Sequence, residues 1–428
     1  MWLLDRLLRV LVKAGRLLIT DYDGKEYSYG SGPDAPVRIR FTDKSTAWRI
    51  ATDPRLGAGE TYMDGQLVVE PPHGIRDVVM LVMGNAGRSG DSVAPPSPLR
   101  RLTDRIVSRF DEFNPRARSS KNVKHHYDLS RQFYELFLDQ DRQYTMGYWR
   151  DPAGTLEQAQ LDKKALIAAK LRIPRDGGSA MRVLDIGCGW GGFALYLNRH
   201  YGCEVLGVSL APDQVRFATE RAAAAGVANK VKFQLIDYRD VTGPFDRITS
   251  VGMIEHVGAR HFGEYFAKTM QLLADDGIML THTIGRTDGP GRTDAWTRKH
   301  VFPGGYIPAM SELIIAMQDT GWQVGDIEVL RYHYALTLHE WYRRTTLHEA
   351  EITALYDARL FRMWQFYLAG AEQSFRFDSM VNFHIQSVRH QRVLPMERDY
   401  IAAEFARLVA ADTAPEWHLA PGHRAAAE

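Results

Sequence analysis

Gly187, Gly189, Gly191 and Gly192 crowd directly behind the apolar run Val183-Leu184-Asp185-Ile186. A glycine turn between a strand and a helix removes side chains where a nucleotide-type cofactor lies against backbone, and it permits positive φ. The chemistry on offer is cofactor binding, with Asp185 in the strand and Cys188 inside the turn, but the turn alone does not select the cofactor. A dinucleotide site wants an acidic residue about 20 positions on, at the tip of the second strand, to hold a ribose. Here that strand, 204–208, runs into Ser209-Leu210-Ala211-Pro212-Asp213-Gln214 and has no acid at its tip. S-adenosylmethionine is therefore the better reading than a nicotinamide dinucleotide, with Gln214 as the ribose contact.

The elements that must position these residues alternate strand and helix. Strands are expected at 182–186, 204–208, 231–236, 246–251 and 277–282. In an open parallel sheet the ligand sits at the carboxyl ends of the strands. The glycine turn, Ser209, Leu210 and Gln214, Asp237 and Tyr238, residues 253–257 and residues 282–284 then share one crevice. Asp237 is placed to accept from an adenine amine, with Tyr238 beside the ring; the alternative for an acid at a strand end is to cap the next helix.

Ahead of this lies a different texture. Residues 21–83 alternate turn signals with short strands, such as the period-2 run Val37-Arg38-Ile39-Arg40-Phe41. Residues 84–98 are rich in Gly, Pro and Ser and read as a linker. The expected organisation is a small α+β domain over 1–83, a linker over 84–119, and a Rossmann-like α/β domain over 120–428.

Bulk properties exclude several classes. With 53 basic and 52 acidic side chains, the 428-residue chain gives no charge argument for nucleic acid. Two cysteines, Cys188 and Cys203, are too few for a disulfide framework or a cysteine zinc site and suit a reducing cytoplasm. No apolar run approaches the roughly 20 residues that span a bilayer, so a soluble protein is expected. Arg6, Arg9, Lys13, Arg16 and Thr20 recur at helical spacing among Leu3, Leu4, Leu7, Leu8, Leu11, Leu18 and Ile19. Such a helix either lies on an anionic membrane surface or buries a wide apolar face in its own domain. The basic run from Arg100 to Lys124 is likewise a solvated helix face or a lipid-headgroup contact.

Further local words point to a family. They are Val123-Lys124-His125-His126-Tyr127-Asp128, Gln143-Tyr144-Thr145-Met146-Gly147-Tyr148-Trp149, Met253-Ile254-Glu255-His256-Val257-Gly258, Thr281-His282-Thr283-Ile284-Gly285 and His333-Tyr334-Ala335-Leu336-Thr337-Leu338. In this order, over about 120–400, the chain resembles the cyclopropane fatty acid synthases and their mycolic acid relatives. Residues 57–65 resemble that family's lipid-facing module. The resemblance implies a class I S-adenosylmethionine-dependent methyltransferase domain. It implies methylene transfer to the cis double bond of an unsaturated phospholipid acyl chain, by a homodimer peripheral at the inner face of the membrane. It also implies a bound bicarbonate as base, held by Glu255, His282, Tyr334 and the main chain at Met146 and Ile284. Tyr144 and Thr145 join the cofactor set on the same ground.

The chemistry suits those residue types. An alkene is a poor nucleophile, so the sulfonium methyl must be held in line with it. The resulting cation wants dry walls and aromatic faces, for which Tyr144, Tyr148, Trp149, Tyr334 and Trp341 are available. A base then removes a proton so the ring can close, and Glu255 is expected to be ionised at neutral pH. Singly, each group has a plainer reading. Glu255 could cap a helix, His282 could be a core histidine, and Tyr334 could be half-buried with its hydroxyl on backbone. The chain departs from the family pattern where Met146 and Ala371 replace cysteines. The second departure removes any thiol nucleophile there; the first leaves open a methyl-branched or methylenated product instead of a ring. A catalytically idle lipid-binding protein is the alternative from another class.

Overall fold

The computed structural model describes residues 1–89 and 129–412, which fall into two compact units. The basic run at 100–124, the 123–128 motif and the expected linker beyond residue 89 lie outside the described residues.

The first unit joins the amino-terminal residues to 292–303 and 335–380. A helix Trp2–Leu11 precedes β1 (Gly15–Thr20), β2 (Glu26–Ser31), β3 (Val37–Phe41) and β4 (Leu67–Val69), which form one sheet in the order β2-β1-β3-β4. The alternation read at 37–41 is real: Val37, Ile39 and Phe41 are buried while Arg38 and Arg40 are exposed. The amino-terminal periodicity is shorter than expected. Gly15 takes a φ of +76° and the chain turns into β1, so Arg16, Leu18, Ile19 and Thr20 belong to a strand. The helix buries Leu4 and Leu8 in the unit's core and turns Trp2, Arg6, Arg9 and Val10 outward, and Lys13, just past its end, is exposed as well.

The boundary expected at 83/84 falls inside the helix Ile75–Ser89. Its glycines serve close packing: a Cβ on Gly87 would stand 2.9 Å from the Phe377 carbonyl oxygen, and one on Gly84 would stand 3.5 Å from the Phe377 ring. Within residues 57–65 the first two glycines also serve close packing. A Cβ on Gly57 would come within 2.2 Å of the Arg49 carbonyl, and one on Gly59 within 2.3 Å of the Trp296 indole. Trp341 belongs to this unit and is fully buried there. Ala371 lies on the helix Ala358–Phe377, whose Glu372 is held by Arg76 at 2.6 and 2.7 Å.

The second unit carries a seven-stranded sheet. Its strands are β5 (Arg182–Ile186), β6 (Glu204–Ser209), β7 (Val231–Leu235), β8 (Phe245–Val251), β9 (Leu273–Arg286), β10 (Gln323–Leu330) and β11 (Met380–Val388), in the order β10-β11-β9-β8-β5-β6-β7. Strands β5 to β9 pair in parallel, and β10 pairs antiparallel with β11. The five strands expected from sequence are all present, and β9 is longer than expected at 14 residues. Val183 to Ile186 are all buried, as in a strand covered on both faces. Strand order reverses between β5 and β8, which opens a crevice at their carboxyl ends. Among the described residues no helix is long and apolar enough to cross a membrane.

Candidate functional site

The crevice is a cleft lined by Tyr144, Thr145, Asp185, Gly187, Cys188, Gly189, Ser209, Leu210, Gln214, Asp237 and Tyr238. Gly187 and Gly189 take φ values of +78° and +52°, and a Cβ on Gly189 would meet nothing within 4 Å. The turn thus presents bare backbone to the cleft, the cradle that a nucleoside-type cofactor needs. Gly191 and Gly192 do not line it. A Cβ on Gly191 would strike Ala218 and the Phe233 ring at 2.7 Å, and one on Gly192 would lie 2.1 Å from the Asp141 carboxylate. These two are glycines because the neighbouring elements come too close for a side chain.

Asp141 anchors the wall that carries Tyr144 and Thr145. Its carboxylate takes the Lys164 ammonium at 2.7 Å, the Arg221 guanidinium and the Gln143 amide at 3.1 Å. Burial alone would raise its pKa, but Lys164 and Arg221 outweigh that and hold it well below the usual carboxylate range. Beside it Lys163, also buried, donates to Gln143 at 2.6 Å and Thr145 at 2.8 Å and lines the cleft. Burial pulls Lys163 down to about 7 and pushes Asp185, whose Oδ2 is buried without a partner, up to about 7. Sequence reading missed Lys163. The available signal was two adjacent lysines within the helix Leu156–Leu171. The aromatic rim is Tyr144 against Tyr134, with Tyr134 in turn edge-on to Trp190.

Asp237 lines the cleft, yet its carboxylate is gripped by Arg239, Nε to Oδ1 at 2.8 Å and Nη2 to Oδ2 at 2.6 Å. It also accepts the Arg239 backbone N–H at the start of a single-turn helix, so Asp237 caps that turn while lining the cleft. Gln214 is buried and its Oε1 accepts from the Ser209 hydroxyl at 3.3 Å.

Next to the cleft-lining residues Met253 and His256 sits Glu255, in the turn Ile254–His256 that follows β8. Its carboxylate reaches β9, where Oε1 accepts the Ile284 backbone N–H at 2.6 Å. Oε2 is buried with no partner among the described residues. Burial pushes the carboxyl up to about 7, against the pull of its own and the Ile284 amides and of the Thr283 hydroxyl. The sequence expectation of a fully ionised Glu255 at neutral pH is therefore corrected: near pH 7 both forms are populated. The Ile284 amide, expected to face an anion, here holds Glu255 instead.

His282 lies two residues before Ile284 on β9 and so on the same face. It is buried, with Nδ1 2.8 Å from His384 Nε2 and Nε2 3.3 Å from the Asn382 amide. Met146 is fully buried and Tyr334 nearly so. His333 Nδ1 accepts the Trp149 backbone N–H at 3.0 Å, and its ring stacks on Tyr148 at 4.6 Å. That pairing ties the chain at Tyr334 to the segment holding Met146. The two cysteines are buried, and burial raises both thiols, Cys203 to about 12, so neither is an activated nucleophile.

Comparison with known proteins supports the same reading. Residues 114–385 match the family described as mycolic acid cyclopropane synthetase. The cyclopropane-fatty-acyl-phospholipid synthase of Escherichia coli K12 is 34% identical over 342 residues, covering 80% of this chain and 85% of its own. A probable fatty acid methyltransferase of Pseudomonas putida is 32% identical over 379 residues, covering 85% and 89%. The mycolic acid cyclopropane synthase CmaA1, solved with SAH and CTAB, superposes with a TM-score of 0.59 at 28% identity over 64% of this chain and 99% of its own. A bare-glycine cleft at the strand reversal, a raised and half-unpartnered Glu255 beside it and these matches agree: the chain belongs to the mycolic acid cyclopropane synthetase family and is an S-adenosylmethionine-dependent methyltransferase related to the cyclopropane-fatty-acyl-phospholipid synthases.

Proposed function

We propose that the protein is a cyclopropane-fatty-acyl-phospholipid synthase, acting on the cis double bond of unsaturated phospholipid acyl chains with bicarbonate as the base. The observation that carries this reading is Glu255, a buried carboxyl held near 7 with one oxygen unpartnered beside the cofactor cleft. A group poised near working pH in a dry site is suited to exchange a proton during turnover.

When bound, S-adenosylmethionine supplies the electrophilic methyl. The chain's part is to hold and shield. Backbone at Gly187 and Gly189 admits the cofactor, and Gln214 is the ribose contact. The rings of Tyr134, Tyr144 and Trp190 keep water from the cleft, which protects a cationic centre on the acyl chain. Glu255 in its protonated form can donate from the free oxygen to an anion, while Ile284 fixes the other oxygen. A bicarbonate ion would be held by Glu255, His282, Tyr334 and the Met146 main chain, with Ile284 acting through Glu255. It would supply the base that takes the proton from the transferred methyl.

Turnover of unsaturated phospholipid vesicles should fall in buffer stripped of carbon dioxide and return on adding bicarbonate, with cyclopropane ring protons in the product NMR spectrum. Full activity without bicarbonate would remove the anion from the mechanism. A second reading, a methyltransferase making methyl-branched or methylenated chains, is favoured by buried Met146 and by the P. putida relative. Met146→Cys separates the two. Under the first reading Met146 serves through its backbone and the product stays a ring; a shift from branched to ring product would support the second.

We also read the outward face of the helix Trp2–Leu11 as a contact for anionic membrane, because Trp2, Arg6, Val10 and Lys13 combine apolar and basic groups. Each basic side chain near such a surface contributes about 1 kcal/mol. Arg6→Glu with Lys13→Glu should therefore weaken binding to anionic vesicles about 30-fold at low salt, less at high salt. The inward Leu4 and Leu8 are untouched, so folding should be preserved. Unchanged sedimentation with vesicles would assign that face to solvent.

A further inference from the structure

A line of buried polar groups runs from solvent to His282 through four elements of the second unit. Glu328 on β10, with its side chain 30% exposed, pairs with the Lys170 ammonium, which is almost wholly buried on the helix Leu156–Leu171. Lys170 Nζ lies 3.2 Å from His384 Nδ1 on β11. His384 Nε2 lies 2.8 Å from His282 Nδ1 on β9. None of these contacts is needed to bind the cofactor, and Lys170, His384 and Glu328 do not line the cleft.

We propose that Lys170 and His384 are positioning residues for His282, and that the chain Glu328–Lys170–His384–His282 fixes the His282 proton on Nε2. The inference rests on the reading that places His282 at the reaction centre. An ammonium has only donors, so His384 Nδ1 must accept from Lys170 and His384 must carry its proton on Nε2. That proton points at His282 Nδ1, which must then accept, leaving the His282 proton on Nε2. The two inner hydrogen bonds therefore run in one direction, from Lys170 through His384 to His282, while Lys170 also donates outward to the Glu328 carboxylate.

The far end of the chain is consistent with this polarity. His282 Nε2 faces the side-chain amide of Asn382 at 3.3 Å, while Asn382 Oδ1 is buried with no partner among the described residues. Turning that amide by half a rotation lets the oxygen accept from Nε2–H. Burial first, and with it the charges of Lys163 and Lys170, holds both imidazoles well below their usual pKa, so each ring keeps one accepting nitrogen. His282 then enters the reaction as a neutral donor through Nε2, the nitrogen that faces Asn382 and not His384, and an anion oxygen would take that proton over from the Asn382 oxygen. A donor of fixed direction is what an anion oxygen requires from it.

The test is ¹⁵N NMR of the histidine-labelled full chain, with the His282 signals identified by their loss in His282→Gln. The expected result is a single Nε2–H tautomer for His282 in the parent protein and a mixture of tautomers in Lys170→Met. In the same variant kcat should fall about 10- to 100-fold, the usual cost of losing such a supporting partner, with KM within about twofold. Should Lys170→Met fail to fold, Glu328→Gln at the partly exposed end should also loosen the tautomer preference. A persistent Nε2–H tautomer in the foldable variants, or an Nδ1–H tautomer in the parent, would overturn the proposal. The tautomer is read without substrate or bicarbonate. A failure of the proposed reaction therefore shows in the product assay alone, and a failure of the chain shows in the spectrum alone.

Discussion

Replacing Glu255 by Gln should lower turnover by about 10² to 10⁴, the range for loss of a positioned proton-exchanging group. S-adenosylmethionine affinity should change only a few-fold, because Glu255 lies beside the cofactor cleft and does not line it. The same change should raise stability at alkaline pH. The carboxyl titrates at about 7 when folded against a reference value of 4.5, so the folded state binds the extra proton between those values. Its contribution to stability accordingly declines as pH rises from 4.5 through 7, and the cost is complete above that. Gln carries no such cost. Between pH 4.5 and 8 the stability difference should move in the variant's favour by about 3 kcal/mol, measured by urea unfolding at each pH. A lost activity with a flat stability difference would mean that Glu255 acts, but not as a buried titrating group. Near-parental turnover would take Glu255 out of the mechanism.

The second large effect is expected at Asp141. Asp141→Asn keeps the shape but cannot neutralise Lys164, whose side chain is 5% exposed, or Arg221. Breaking a buried pair by removing one partner costs about 3 to 5 kcal/mol, because the other charge stays desolvated. The loss should be full above the reference carboxylate pKa of 3.8 and should narrow only in stronger acid, since the folded carboxyl is held well below that value. Cofactor affinity should fall as well, because Gln143 and, through Lys163, Thr145 are braced from the same loop. Titration calorimetry and unfolding curves would measure both. A variant as stable as the parent would show that the cations find water instead.

Much of the catalytic half was readable from sequence because its signals are local. Strands β5 to β9 appear as apolar runs closed by turn residues, and the parallel-sheet rule sends their carboxyl ends to one crevice. Eleven of the thirteen expected cofactor residues line it, Gly191 and Gly192 being the exceptions. Those two looked like their neighbours in sequence and differ only in what stands opposite: Ala218 and Phe233 for one, Asp141 for the other. The amino-terminal helix failed in the opposite way. Leucines at helical spacing continue past Leu11, but Gly15 redirects the backbone, and from there the same residues alternate across a strand.

By itself the sequence determined the cofactor turn, the order of the strands along the chain, and the placing of Glu255 just after β8 and of His282 on β9. These depend on residue type and spacing within one element. Only the tertiary structure decided the charge of Glu255, the grip of Arg239 on Asp237, the assembly of the first unit from three chain segments, and the line from Glu328 to His282. A carboxyl's pKa is set by how much water and charge its neighbours leave it, and a histidine's tautomer by which donor faces which nitrogen. Lys170 and His384 stand 214 positions apart, and that distance hides their pairing until the sheet closes.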